Sequence, residues 1–137
     1  MSGVHVGRLK RRALNMLNAT EHVGDHDLAL FLLEQAVQLS RMSTLSFWGS
    51  KIRGHGLREL IGALAKGLES QGYTEQASRL REFVMENRDV LVELEEAYIE
   101  SRYGEVEYSA EEAARARGVV RKLIKLLEEV VNDVKLG

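Results

Sequence analysis

The chain contains no cysteine and no proline, and aromatic residues make up only 6% of it. The absence of cysteine excludes disulfides, thiolate metal ligands and a cysteine nucleophile. The absence of proline lets long helices run without an imposed kink, because proline removes a backbone donor and clashes with the preceding turn. The absence of cysteine fits a reducing compartment, so we expect a cytoplasmic location. The absence of proline fits uninterrupted helices.

A strong net charge and long apolar runs are also missing. The 137 residues carry a net charge of −2, which argues against wholesale wrapping of nucleic acid but is compatible with a local basic patch. The basic N-terminus, MSGVHVGRLKRRALNML, is not followed by the apolar run of a signal peptide. The longest apolar stretch, LALFLL at residues 28–33, is too short to span a bilayer. We expect one domain over residues 1–137, without membrane contact.

Helical periodicity extends along almost the whole chain, and no stretch alternates as a strand does. Short connections between helices favour antiparallel neighbours. The predicted fold class is therefore all-α, an antiparallel up-and-down helical bundle of about five helices. The predicted helices cover residues 5–23, 26 to 44 or beyond, 57–68, 74 to about 103, and a last segment that follows a capping box of Ser109 and Glu112.

Local signals predict the helix ends and the buried faces. Asp25 and Thr74 are expected to be N-caps, and Gly104 is expected to end the long fourth helix in a left-handed conformation. Gln35 lies on the expected apolar face of the second helix and needs a hydrogen-bond partner if it is buried. The other residues of that face are Leu28, Phe31, Leu32, Leu39 and Met42. The same spacing predicts apolar faces in three other helices: Leu9, Ala13, Met16, Leu17 and Thr20 in the first; Leu57, Leu60, Ile61, Leu64 and Leu68 in the third; and Ala113, Val120, Leu123, Ile124, Leu127, Val131 and Val134 in the last. The acidic residues Glu93, Glu95, Glu96 and Glu100 are expected to form the solvent face of the fourth helix.

A glycine-rich basic loop is predicted at residues 47–56 (FWGSKIRGHG). Gly49 and Gly54 have the spacing of a P-loop, but His55 and Gly56 follow instead of Lys and Ser or Thr, and no strand precedes. A P-loop is therefore not expected. The cations Lys51, Arg53, His55 and Arg58 nevertheless cluster where a helix begins. Because helix N-termini favour anions, this cluster is either a phosphate site or a solvated basic loop.

Two histidines at zinc-ligand spacing, His22 and His26, are interpreted as part of a solvated turn. Gly24 and Asp25 interrupt the helix that would place both imidazoles on one face, and the glutamate of a zinc protease is absent. No metal site and no cofactor are therefore expected.

Three segments together resemble the HEPN family of small helical domains. They are GDHDLA at 24–29 running into EQAVQL at 34–39, GHGL at 54–57 with Leu60 and Ile61, and AYIESRY at 97–103 followed by YSAEEA at 108–113. The resemblance implies a helical bundle, a homodimer, and association with a minimal nucleotidyltransferase in a toxin–antitoxin or nucleotide-handling system. Many family members are metal-independent ribonucleases that use an arginine followed four to six residues later by a histidine.

The sequence departs from that ribonuclease signature. Its four histidines, His5, His22, His26 and His55, do not follow an arginine at that spacing, and Arg53 is too close to His55. The positions that match the family pattern are expected to line a nucleotide- or phosphate-binding groove, where arginine contacts phosphate and tyrosine stacks on a base. These positions are Gln35, Arg53, His55, Arg102 and Tyr103. In the alternative, His55 caps the third helix and Arg102 pairs with an acidic neighbour.

Three functions follow from these observations. The first is a non-catalytic dimeric module that binds a nucleotide or RNA and acts with a minimal nucleotidyltransferase. The second is a metal-independent ribonuclease in which His55 is the acid or base and Arg102 or Arg53 stabilises the phosphate. The third is a structural dimer without a ligand.

Overall fold

The computed structural model describes residues 3–48, 56–100 and 107–136, with side chains for residues 7–40, 56–97 and 107–134. All regular structure in these ranges is helical, which confirms the predicted all-α class. The helices are α1 (Gly3–Ala19), a short 3-10 helix (Thr20–His22), α2 (His26–Trp48), α3 (Leu57–Ser70), α4 (Thr74–Glu86), α5 (Arg88–Glu100) and α6 (Ala110–Leu136). Phe47 and Trp48 thus belong to α2, not to the predicted loop.

Short polar side chains fix the start of α2 and of α6, as predicted. Asp25 Oδ1 accepts hydrogen bonds from the backbone amides of Asp27 and Leu28, at 3.1 and 3.2 Å. The backbone amide of Glu112 donates to Ser109 Oγ at 3.0 Å, and the backbone amide of Ser109 donates to Glu112 Oε1 at 3.0 Å. Both arrangements satisfy amides that lack a partner within the helix.

The turn between α3 and α4 depends on Gly72, whose φ of 91° lies in the left-handed region that favours glycine. The prediction that Thr74 is an N-cap is wrong. Thr74 is the first helical residue, and Tyr73 precedes it without a side-chain capping bond. The left-handed Gly72 turns the chain from α3 into α4, and no side-chain hydrogen bond caps the first turn of α4.

The predicted long acidic helix is two helices, because the chain is interrupted at Asn87. The backbone amide and the side-chain Nδ2 of Asn87 both donate to the carbonyl oxygen of Phe83, each at 3.0 Å. Asn87 has φ −117° and ψ 22°, outside the helical region, and its own carbonyl accepts from Leu91 as α5 begins. Asparagine competes with the helical hydrogen-bond pattern in this way, and the described residues therefore form six α-helices where about five were predicted.

Helix α6 packs against both α1 and α4, which are distant in sequence. It runs antiparallel to α1, since Lys10 pairs with Glu128 at 3.4 Å while the later residue Glu21 pairs with the earlier residue Arg121 at 2.7 Å. On its other side, Arg79 of α4 pairs with Glu129. These pairs are exposed and contribute little stability, so they report proximity while the apolar core supplies the energy.

The buried faces of α1, α3 and α6 agree with the predicted periodicity. The whole predicted face of α3 is buried, namely Leu57, Leu60, Ile61, Leu64 and Leu68. The buried residues of α6 include Ala113, Val120, Leu123, Ile124 and Leu127. These helices are amphipathic with one clear apolar stripe, and for such helices periodicity identifies the core side.

The predicted face of α2 is wrong at Leu28, Phe31, Leu32 and Leu39, while Met42 lies outside the residues whose side chains are described. The buried apolar residues of α2 are Ala29, Leu30, Leu33, Ala36 and Val37. By contrast, Leu28 is 44% exposed, and Phe31, Leu32 and Leu39 are partly exposed. Apolar residues surround most of the first half of α2, so periodicity alone does not distinguish its two apolar sides. Packing against α1, α5 and α6 decides which side is buried and leaves the other at the surface.

Within the ranges described above, no helix combines the length and the apolar character needed to cross a membrane.

Candidate functional site

Of the five residues predicted to bind nucleotide or phosphate, the structure describes one, Gln35. The other four, Arg53, His55, Arg102 and Tyr103, lie outside the described residues, as does the predicted stop at Gly104. The described residues next to them in sequence begin at Gly56 and end at Glu100. The surroundings of the site are therefore defined by α2 near Gln35 and by the beginning of α3.

Gln35 belongs to a polar network on α2. Glu34 is buried, with 3% of its surface exposed, and its Oε2 accepts a hydrogen bond from Gln35 Nε2 at 2.7 Å. Glu34 Oε1 accepts from Gln38 Nε2 at 2.8 Å. A buried carboxylate thus orients two neighbouring amides, and it satisfies the predicted need of Gln35 for a partner. The amide nitrogen of Gln35 is held by Glu34, which leaves its carbonyl oxygen as an acceptor on a partly exposed residue.

Gln35 lies in the middle of an apolar surface that we call the α2 stripe. Its members share one side of the helix through spacings of three, four and seven residues, and each is exposed or partly exposed. The α2 stripe consists of Leu28, Phe31, Leu32, Gln35 and Leu39. A contiguous apolar surface of this kind is typical of a protein–protein contact.

An ion pair joins the beginning of α3 to α5. Arg58 Nε donates to Glu95 Oε2 at 2.7 Å, and both side chains are partly buried. The hydrogen bond to Glu95 and the negative charge of that carboxylate raise the pKa of Arg58. The prediction that Glu95 belongs to a solvent face is therefore wrong, because the packing of α3 on α5 brings a cation 37 residues distant in sequence onto its carboxylate.

Gly56 makes room for that carboxylate. A Cβ atom placed on Gly56 would lie 2.4 Å from Glu95 Oε1. The backbone of Gly56 is ordinary extended chain, with φ −122° and ψ 150°, so a larger residue here would meet no backbone strain but would displace the Glu95 carboxylate. We call Gly56, Arg58 and Glu95 the α3 entrance. An internal carboxylate occupies this position, and both the guanidinium and the helix N-terminus attract anions there.

A cleft of about 300 Å³ adjoins the α3 entrance, between α3 and α4. Its lining residues are Arg58, Ile61, Gly62, Arg81, Val84 and Met85. Met85 is 78% exposed, which is unusual for so large an apolar side chain. An apolar floor between two guanidinium groups fits a flat ring that carries an anionic group.

Both arginines of the cleft already hold a carboxylate, since Arg81 Nη1 pairs with Glu69 at 2.5 Å. A guanidinium has five N–H donors, however, and Glu95 engages only Nε and Nη2 of Arg58. Arg58 can therefore bind a phosphate with its remaining donors or exchange Glu95 for it. In this exchange one anion replaces another on Arg58, so the guanidinium keeps a counter-ion.

The outer face of α5 holds a carboxylate in an unfavourable position. Glu93 Oε2 is buried and has no hydrogen-bond partner within the described residues. Burial raises the pKa of the Glu93 carboxyl, and the negative charge of Glu112 raises it further, while Arg115 acts in the opposite direction. The predicted solvent face of the acidic helix is therefore only partly solvated.

We expect Glu93→Gln to stabilise the protein at pH 7 and to lose this effect as the pH falls. A raised pKa in the folded state means that ionised Glu93 is disfavoured by folding; the penalty is absent below the ordinary glutamate pKa of about 4.3 and appears as the pH rises through it. Urea midpoints of wild type and variant at pH 7 and at about pH 4 measure the difference. The exposed Glu82→Gln on α4 is the control, and an equal gain in both variants would contradict the assignment.

The two histidines at zinc-ligand spacing do not share a helix. His22 ends the 3-10 helix and His26 begins α2, with Asp25 between them as the N-cap. Across the described parts of the chain, no three histidine, aspartate or glutamate side chains come together as a metal site. The interpretation of this segment as an interhelical turn agrees with the geometry.

The family model described as HEPN domain matches residues 6–130, which is most of the chain. No curated protein and no solved structure matches the sequence.

Proposed function

Because the chain belongs to the HEPN family, we propose that it is a non-catalytic module that binds a nucleotide or an RNA end and acts with a minimal nucleotidyltransferase. The family match supports a nucleotide- or RNA-related role. The finer proposal places the protein in a toxin–antitoxin or nucleotide-handling system. The absence of the arginine–histidine spacing of the family's ribonucleases favours binding over cleavage.

The observation that carries the proposal is the α3 entrance. Arg58 and the N-terminus of α3 attract an anion, and the glycine at position 56 admits one. Arg53 and His55 precede Gly56 by three residues and one residue in sequence, and we propose that they are further contacts for the phosphate. We propose that the phosphate of the ligand binds here and that its base lies over Ile61 and Val84 in the adjoining cleft.

The second element of the proposal is a homodimer formed through the α2 stripe. Leu28, Phe31 and Leu32 are apolar and partly exposed, and a second copy of α2 would remove them from water. Gln35 would then lie at the centre of the interface, where its carbonyl oxygen can accept a hydrogen bond across the two-fold axis. Arg102 and Tyr103 remain predicted contributors to the ligand site.

We expect Glu95→Gln to bind a 5′-phosphorylated adenosine dinucleotide several-fold more tightly than wild type, because the variant removes the internal anion that competes for Arg58. Arg58→Met should bind about tenfold more weakly, since a charge-assisted hydrogen bond contributes about 1.5–3 kcal/mol. Isothermal titration calorimetry of the three proteins measures both effects. Circular dichroism spectra verify that each variant is folded.

Glu21→Gln is the matched control, because it releases Arg121 from a similar ion pair on a different surface. An equal gain in affinity in this control, or no gain in Glu95→Gln, would reject the α3 entrance as the phosphate site. Cleavage of RNA by wild type that disappears in His55→Ala would replace the binding module with a ribonuclease. Failure to co-purify with a minimal nucleotidyltransferase would remove the proposed partner.

A further inference from the structure

Two glycines lie inside α3, Gly62 and Gly67, and both are exposed. A glycine inside a helix destabilises the fold relative to alanine, because the chain loses more backbone freedom on folding at a glycine. The same helix carries Ala63 and Ala65, so it uses the more stabilising small residue elsewhere. An internal glycine is accounted for by an unusual backbone conformation, by close packing, or by the close approach of a ligand.

Neither conformation nor packing accounts for Gly62. Among the described residues only Gly72 has a positive φ, so Gly62 has a backbone conformation that any residue can adopt. A Cβ atom placed on Gly62 would have no described heavy atom within 4 Å, apart from its own helical turn and chain neighbours. At Gly56, by contrast, the added atom would meet Glu95 Oε1. The backbone of α3 at Gly62 is therefore uncovered in the part of the chain that the structure describes.

The position of Gly62 in the cleft distinguishes it from Gly67. Gly62 lines the cleft of about 300 Å³ between α3 and α4, and Gly67 does not. Gly62 follows Arg58 by four residues, so the two lie on one side of α3 and are about 6 Å apart along its axis. A ring whose phosphate is held at Arg58 therefore passes over Gly62 as it extends along the cleft.

The two walls of the cleft differ in stiffness. The α3 wall at Gly62 is helical backbone, which has no side chain that could move aside. The α4 wall includes Met85, which is 78% exposed and has a flexible, polarisable side chain that adapts to the outline of a ligand. The width of the cleft is therefore set at Gly62, whereas Met85 can follow the shape of the ligand.

We propose that Gly62 determines which bases the cleft accepts, by leaving room for the two-ring system of a purine against the bare backbone of α3. This inference rests on the proposed function and makes it more specific, because it names purines as the preferred class of base. The backbone polar groups inside a helix are already hydrogen-bonded to each other, so the contact at Gly62 depends on shape. A purine covers more of the apolar floor at Ile61 and Val84 than a pyrimidine does, and it gains more from that burial.

The test compares Gly62→Ala with Gly67→Ala, a matched control that replaces the other exposed glycine of α3. Each substitution should raise the Tm by about 2–4 °C, because alanine is the better helix former and its Cβ meets no described atom. Circular dichroism measures the Tm. Isothermal titration calorimetry measures the affinity for two probes, the 5′-phosphorylated adenosine dinucleotide and its uridine counterpart.

We expect wild type to bind the adenosine dinucleotide more tightly than the uridine dinucleotide. Gly62→Ala should bind the adenosine dinucleotide about tenfold more weakly than wild type, the lower end of the effect of one extra carbon in a fitted pocket. Its affinity for the uridine dinucleotide should fall by less than about threefold, since a single ring leaves space for the methyl group. Gly67→Ala should bind both dinucleotides as wild type does.

The other outcomes separate this inference from the proposed function. Wild-type binding that is weakened in Arg58→Met but unchanged in Gly62→Ala would overturn the inference, while the α3 entrance stands. An equal loss in Gly67→Ala, or an equal loss for the two dinucleotides in Gly62→Ala, would also overturn it. A lower Tm in Gly62→Ala would show that the fold itself needs this glycine, with the same consequence. Absence of wild-type binding to both dinucleotides would reject the inference together with the proposed function.

Discussion

Replacement of Leu123 by alanine should lower the free energy of unfolding by about 2–5 kcal/mol, the largest effect on stability that we expect from one substitution. Leu123 has no exposed surface and lies in α6, which packs against α1, α2, α4 and α5. The missing atoms would leave a cavity that several helices border, and one helix alone cannot close it. Since domains of this size are stable by about 5–15 kcal/mol, the loss is a large fraction of the total.

Urea denaturation followed by circular dichroism at a fixed protein concentration measures this effect. Leu14→Ala is the control, because Leu14 is 39% exposed on α1 and loses little buried surface. We expect less than about 1 kcal/mol for the control, as is usual for surface substitutions. Equal losses in the two variants would show that α6 does not pack in the core through Leu123.

Leu28→Asp should convert the proposed homodimer to a monomer, with a dimer dissociation constant at least about 100-fold higher than that of wild type. A carboxylate in an apolar interface must be desolvated without a partner, and about 2.7 kcal/mol of that penalty corresponds to a factor of 100. Leu28 is in the first turn of α2, where an acidic residue interacts favourably with the helix dipole. The substitution should therefore leave the fold of each subunit intact.

Sedimentation velocity across a range of concentrations measures the change, and Leu14→Asp provides a matched control. Leu14 and Leu28 are similarly exposed, at 39% and 44%, but Leu14 lies on α1, outside the α2 stripe. A dimer that persists in Leu28→Asp, or that dissociates equally in Leu14→Asp, would reject the α2 stripe as the interface. A wild-type protein that is monomeric at all concentrations would reject the dimer itself.

The candidate site was partly visible in the sequence. Glycine spacing and positive charge identified the segment that leads to Arg58, and the helical spacing of apolar residues identified the buried face of α3 behind it. Glu95 was missed, because an acidic residue on an acidic helix has no local feature that distinguishes a paired carboxylate from a solvated one. Its partner Arg58 is 37 residues away in sequence, and only the packing of α3 on α5 brings the two together. The roles of Arg53, His55, Arg102 and Tyr103 stay predictions.

The sequence by itself determined the all-α class, the caps of α2 and α6, and the buried faces of α1, α3 and α6. These properties depend on residues within one or two helical turns of each other, through side chain–backbone hydrogen bonds and the period of apolar residues. Only the tertiary structure decided which side of α2 is buried and where Glu95 finds its cation. The physical reason is that each of these outcomes is fixed by contacts between helices that are distant in sequence, and a helix that is apolar on two sides or charged along its length is locally compatible with more than one arrangement.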